Sequence, residues 1–172
     1  YNRIEDKIVA IPMKCQFRWS MVNFGLVKSL GLSATAGYDR QWGKFSLSTN
    51  ANYTCQRDRD YSSPADPEYK NTIPYSPLHS ASLILDLGYD GYSLCTSWLY
   101  TGDRFSLISN NREDMLGDWY TIDLKLNKQF HIGKHNVQAT IECNNLTDSR
   151  HEVVKRYPMP GRNWKFTLQW KI

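Results

Sequence analysis

Trp164-Lys165-Phe166-Thr167-Leu168-Gln169-Trp170-Lys171-Ile172 alternates five large apolar residues with four polar ones. A period of two puts the apolar side chains on one face of a strand and excludes a helix, whose apolar positions recur at three and four. Such a strand has two uses. Its apolar face packs on a soluble core, or it faces lipid while Lys165, Thr167, Gln169 and Lys171 face water inside a barrel.

The 172 residues, 41% hydrophobic and 13% aromatic, suffice for one domain. The mean hydropathy of -0.58 does not separate the two uses, because only every second residue of a barrel strand meets lipid. No apolar run approaches the roughly 18 residues of a membrane helix, so a helical membrane protein is excluded. The chain opens on Tyr1 without a charged segment and apolar core, so a signal peptide is expected to be removed or to belong to a larger precursor. Cys15, Cys55, Cys95 and Cys143 lie far apart with no CxxC or Cys/His cluster, which argues against a metal site and predicts unpaired thiols. The net charge of +4 is interspersed with Asp and Glu, and nucleic acid is not an expected partner.

Tyr1 to Ala10 has no clean period and reads as the end of an earlier strand whose partner lies outside the chain. Pro12 to Val22 reads as a connection. From Phe24 the alternation settles, with Leu30, Leu32, Ala34, Ala36 and Tyr38 opposing Gly31, Ser33, Thr35 and Gly37. After a turn at Gly43, Phe45, Leu47, Thr49, Ala51, Tyr53 and Cys55 oppose Ser46, Ser48, Asn50, Asn52 and Thr54. A face of Ser, Asn and Thr is not a protein core, since each unsatisfied buried group costs about 1–3 kcal/mol. The Pro-rich stretch Arg57 to Pro77 reads as a loop. Strands follow over Ala81–Tyr89 and Tyr92–Tyr100 around Asp90-Gly91. After a second long loop, Gly102 to Gly117, come strands over Tyr120–Leu126 and Val137–Cys143 around Gly133, then a third loop, Thr147 to Gly161.

Short and long connections alternate, and all seven prolines fall in the long ones. A meander with tight turns at one end, large loops at the other, and strands apolar outside and polar inside describes an all-β, antiparallel transmembrane barrel. Tyr38, Tyr89, Tyr120, Phe130 and Trp170 are expected near strand ends, as an interfacial girdle.

Asn144-Asn145-Leu146-Thr147-Asp148, Tyr157-Pro158-Met159-Pro160-Gly161-Arg162 and the alternating terminus resemble the C-terminal end of TonB-dependent outer-membrane receptors. Ile73-Pro74-Tyr75-Ser76-Pro77-Leu78-His79 and Asn23-Phe24-Gly25 through Gly31-Leu32 are similar to further segments of that family. The resemblance implies a 22-stranded barrel plugged by a separate domain, importing a scarce nutrient such as a siderophore, haem or cobalamin with energy passed on by TonB. About eight strands fit in this chain, so residues 1–172 are expected to be the last third of one barrel domain, with the plug and TonB box elsewhere. The barrel assembly machinery is then expected to recognise Trp164, Phe166, Leu168, Trp170 and Ile172, although an ending in Ile departs from the terminal aromatic usual in such barrels.

No catalytic constellation stands out, and neither an enzyme nor a cofactor is expected. His131 and His135 flank a turn rather than sharing a helix face, and Asp58, Asp60 and Asp66 lack calcium-loop spacing. Asp123, Lys125 and Glu142 fit either ligand contacts or a paired network in the wall. The loops hold a better set: Arg57, Arg59, Tyr61, Tyr69 and Tyr75, then Arg104, Phe105 and Arg112, then Arg150, Arg156 and Tyr157. Cations beside aromatics can grip an anionic or aromatic ligand, and they are equally what any polar external loop contains. Two other architectures remain at this stage. One is a complete eight-stranded barrel acting as an adhesin or lipid-modifying enzyme, which requires its first and last strands to pair. The other is a soluble lipocalin-like binder, which requires apolar interior faces.

Overall fold

Each alternating run is a strand that pairs with its neighbours in the chain. The computed structural model describes residues 1–12, 18–133 and 135–171. Its strands are β1 (Asn2–Pro12), β2 (Trp19–Trp42), β3 (Phe45–Asp60), β4 (His79–Tyr89), β5 (Tyr92–Thr101), β6 (Arg104–Phe105), β7 (Met115–Leu116), β8 (Trp119–Ile132), β9 (His135–Asn144), β10 (Glu152–Val154), β11 (Tyr157–Pro158) and β12 (Asn163–Lys171). Eight form one antiparallel sheet in the order β1-β2-β3-β4-β5-β8-β9-β12, while β6 with β7 and β10 with β11 are two small ribbons inside long loops. The sheet is not closed.

The ladder registers test the two-faced reading directly, because residues opposite one another share a face. Tyr38, Thr49, Leu85, Thr96, Leu124, Cys143 and Trp164 make one continuous row across seven strands. The next row on that face holds Leu47, Leu87, Leu94, Leu126, Ile141 and Phe166, with Arg40 opposite Leu47 at its β2 end. On this face Phe166 is 73% exposed and Trp164, Leu126 and Ile141 are exposed as well, while Cys143 is covered by its neighbours, and an apolar surface of this extent has no place in water.

Two aromatic rows bound this face. Trp42, Phe45, Tyr89 and Tyr92 stand opposite one another at the short-turn end, and Tyr53, Tyr100 and Tyr120 share a row with Ala81 at the other. The eight steps from Phe45 to Tyr53 rise about 27 Å along the strand, or about 20 Å vertically at a tilt of about 40°. Tyr89 and Tyr120 thus lie in the girdles, and Phe130 and Trp170 one row beyond the lower one. Tyr38 does not. It shares the middle row with Leu124, because β2 continues past it to Trp42.

The opposite face is polar and internally bonded. Glu142 holds Lys125 Nζ at 3.3 Å and Lys165 Nζ at 3.4 Å, Asn127 accepts from Thr140 Oγ1 at 2.7 Å, and Thr35 donates to Asn52 at 2.9 Å. Asp123 accepts the backbone N–H of Asn145 at 2.7 Å. Of the two readings of Asp123, Lys125 and Glu142, the paired wall network is the arrangement present.

The start of the chain corrects the expectation from sequence. Residues 2–12 do not wait for an external partner but pair with β2 from Trp19 to Ser29. Their missing period has a local cause. Asp6 adopts φ +53° and the ladder skips it opposite Gly25, so the faces exchange there. Ile4 and Val27 on one side of that step, and Val9, Ile11, Val22 and Phe24 on the other, join one apolar cluster with Ile73, Leu107 and Ile108 from two long loops. β2 also begins before Val22, and β3 runs on to Asp60, so Arg57 and Arg59 are strand residues. Cys55, Cys95 and Cys143 are free thiols on three strands; Cys15 and Ile172 lie outside the described residues.

The short turns use backbone that few residues tolerate. Gly43 opens one at φ +58°, and Asp90-Gly91 adopts +45° and +79°, the doubly left-handed geometry of a two-residue hairpin.

Leu124→Arg puts a charge in the middle of the apolar face, at a cost of about 2–4 kcal/mol at a bilayer midplane. It should abolish heat-resistant assembly in cells, read as the gel shift of unboiled protein, whereas Thr121→Arg and Asn127→Arg on the polar face should assemble. Equal damage from all three would contradict the assignment of faces. On β12, Trp170→Asp should likewise block assembly and Gln169→Asp should not.

Candidate functional site

All long connections leave the sheet at one end, and they are stapled together. Residues 61–78 join residues 102–118 through Asn110, whose side chain donates to the carbonyls of Thr72, Leu107 and Ile108 and accepts the Thr72 N–H at 2.7 Å. Asn71 adds a bond to Ile108 O at 2.9 Å, and Tyr75 N–H one to Phe105 O at 2.8 Å. Beneath them lies the Ile11, Phe24, Val27 and Ile73 cluster. The loops are therefore a cap with a small core, folded onto the upper part of β1 and β2.

Residues 102–118 are fastened in turn to residues 145–162 by Arg104. Its guanidinium, 4% exposed, donates to Glu152 O at 2.5 Å and Val153 O at 3.3 Å, and reaches Gly102 O and Gly117 O at 3.5 and 3.4 Å. Burial lowers its pKa from the ordinary value, yet a guanidinium stays protonated, and the carbonyl dipoles replace the water it has lost. Lys155 Nζ adds bonds to Glu113 O and to Asp114 Oδ1, at 2.8 and 2.9 Å. Trp119 and His151 stack at 4.2 Å, and Tyr157 leans on Trp19 of β2 at 6.0 Å. The last contact bridges from the loop before β12 to the start of β2, across the arc of the sheet.

The base of the third loop is a knot around Asn145, a buried residue at φ +52°. Its amide donates to Ser149 O and Pro160 O, and its carbonyl accepts from Ser149 N–H at 2.9 Å. Asp148 accepts the Arg162 N–H at 2.9 Å. A Cβ on Gly161 would stand 2.7 Å from Asp148 Oδ1, so a larger residue there displaces the carboxylate that holds the Arg162 N–H.

The residues expected to bind ligand separate into three groups. Arg104 is buried and its guanidinium donates to the carbonyls it staples. Arg57, Arg59, Tyr61 and Tyr69 do not join the cap interior. Arg57 and Arg59 stand opposite Leu30 and Lys28 on the outward face of β3; Lys28 Nζ lies 4.3 Å from the Tyr61 ring, which meets Tyr69 edge-on at 5.4 Å. Arg112, Arg156 and Tyr157 remain exposed on the cap. Beside them an open cavity of about 660 Å³ is lined by Met115, Asp118, Asp148, Arg150, His151 and Met159 among others. Its mixture of thioether, imidazole, cation and carboxylate can hold a polar ligand with an apolar body. Asn110, Lys155 and His151 were not singled out from sequence. Nothing in their spacing reveals partners in another loop.

A model of the family described as TonB dependent receptor-like, beta-barrel, matches residues 1–146. The chain belongs to this family. Its members are outer-membrane receptors that transport rather than catalyse. The solved ferric preacinetobactin receptor BauA of Acinetobacter baumannii is similar in fold, with a TM-score of 0.71 at 12% identity over 95% of this chain and 25% of that one. The FpvAI receptor in complex with pyocin S2 gives 0.69 at 16% identity, over 98% and 24%. The FrpB iron transporter of Neisseria meningitidis gives 0.55 at 16%, over 96% and 27%. The chain thus spans about a quarter of the length of these receptors. No curated protein matches it.

In this TonB-dependent receptor barrel, Asn145→Ala should cost about 1–3 kcal/mol for each buried partner it leaves unsatisfied. Limited proteolysis of intact cells should then cut within residues 147–162 faster than in the parent. Arg104→Ala should open both adjoining loops to protease, while Arg112→Ala, which removes no staple, should leave the cleavage pattern unchanged.

Proposed function

We propose that residues 1–172 form the C-terminal part of the barrel of an outer-membrane TonB-dependent receptor that takes up an iron chelate such as a ferric siderophore. The observation that carries this is the pairing of an apolar face, bounded by two aromatic rows, with a polar face roofed by a stapled cap. Two neighbours named for a ferric receptor and an iron transporter favour iron over cobalamin as cargo. The remaining strands, a plug domain, TonB, the barrel assembly machinery and the surrounding lipid are the partners of this reading, and no enzymatic step belongs to it.

The need for further strands follows from the sheet edges. Among the described residues, Leu30–Trp42 of β2 have no strand beside them on the β1 side, and β12 pairs only with β9. An unpaired backbone group in hydrocarbon costs several kcal/mol. The complete small barrel needs β1 to pair with β12, which it does not. The lipocalin-like reading needs an apolar interior, whereas here the apolar face is the exposed one.

The long loops are extracellular in this reading. In intact cells lacking the native thiols, a membrane-impermeant maleimide should modify Ser63→Cys and should not reach Lys44→Cys beside the Gly43 turn; the reverse would invert the topology. For cargo, iron-starved cells carrying Arg112→Ala and Arg156→Ala should take up radiolabelled iron supplied as an anionic ferric siderophore about tenfold more slowly, the value of one lost charge-assisted hydrogen bond. Undiminished uptake would remove these residues from the site.

A further inference from the structure

Above the Tyr53, Tyr100 and Tyr120 girdle, the outward face changes from apolar to cationic. Arg59 lies opposite Lys28, and Lys28 opposite Arg3, so three cations stand side by side on three strands. Arg57 is one row nearer the girdle, opposite Leu30. Like charges directly opposite one another destabilise a sheet, and local compensation is partial. Arg3 pairs with Glu5 at 2.9 Å, and Lys28 rests over Tyr61. Arg57 is exposed, and Arg59 Nε is buried with no hydrogen-bond partner.

Apart from Glu5, which pairs with Arg3, the carboxylates nearest the row are turned elsewhere. Asp58 and Asp60 alternate with the arginines along β3 and are buried on the other face, held by Gln56 and Ser76 and by Ser62 respectively. Asp6, at the step in β1, accepts from Asn23 at 3.3 Å.

We propose that Arg3, Lys28, Arg57 and Arg59 bind the phosphate groups of a membrane-lipid headgroup, with its acyl chains lying on Leu30 and Leu32 below. This rests on the membrane placement proposed above. Strands about 4.8 Å apart and rows about 7 Å apart give a patch of roughly 10 by 7 Å, wide enough for two phosphates of one headgroup. Guanidinium forks meet phosphate oxygens in pairs, and a bound anion relieves the repulsion within the row. A lipid suits the site better than a soluble anion because Leu30 and Leu32, 65% and 71% exposed, continue the patch toward the apolar band. A free phosphate gains nothing from them.

The test uses the complete receptor, purified in detergent, with three probes: bisphosphorylated lipid A, the same lipid with both phosphates removed, and inorganic pyrophosphate. Native mass spectrometry should show retention of the phosphorylated lipid alone. The single substitution Arg57→Gln, at an exposed side chain, should weaken retention about fivefold, and Lys28→Gln, Arg57→Gln and Arg59→Gln combined roughly a hundredfold, at the usual contribution of one surface cation each. Equal retention of the dephosphorylated lipid, or no loss in Arg57→Gln, overturns the proposal. Pyrophosphate displacing lipid A at equal concentration also overturns it, assigning the row to a soluble anion. Leu124→Arg separates the two levels: if it assembles normally the membrane placement itself fails, and if it is blocked while Arg57→Gln retains lipid, only the lipid site is lost.

Discussion

A backbone N–H or C=O that enters hydrocarbon must be paired, and every regular feature of this chain follows from that requirement. Water cannot stand in for a missing partner there. Strands are therefore joined to chain neighbours by the tightest turns available, and the ladder runs without interruption from Trp42 opposite Phe45 to Tyr92 opposite Lys128. Once the backbone is paired, side-chain parity has no freedom left. Moving any strand by one residue would carry Leu124 to the polar face and Lys125 to the apolar one.

Beyond the aromatic girdle the constraint lapses, and a different solution takes over. The long loops satisfy themselves as a soluble protein does, with buried Ile73 and Phe24, side-chain amides such as Asn110 and Asn145 closing turns, and one buried guanidinium tying carbonyls together. Arg104 illustrates the change in chemistry. In an external loop open to water an arginine is free for a ligand, but inside the cap its donors are the cheapest way to satisfy carbonyls of two loops at once.

The wall was legible in the sequence because its signal is strictly local. Alternation in Ala81–Tyr89 or Trp164–Trp170 reports a face without knowledge of any partner. Where backbone geometry breaks the period, as at Asp6 opposite Gly25, alternation fails and a real strand reads as a fragment. The cap was not legible for the opposite reason. The bonds of Asn110 and Arg104 join segments 38 and 48 residues apart, and no spacing rule connects them. The motif around Asn145 was visible as a resemblance, but only the knot to Ser149 and Pro160 explains why those residue types are needed.

The placing of Arg57 and Arg59 in a loop, where the structure has a strand, shows what composition leaves out. A Pro-rich stretch and a string of charges suggest a loop, yet the charges alternate: Asp58 and Asp60 to one side, Arg57 and Arg59 to the other. That is a strand signal written in charge instead of hydropathy. Beyond the aromatic girdle the two-sided pattern persists while its alphabet changes from apolar against polar to cation against carboxylate. The inward carboxylates are consumed by the loops that fold over them. The outward cations are covered only in part, by Glu5 beside Arg3 and the Tyr61 ring beside Lys28, and the rest of their surroundings is set by what lies outside the barrel.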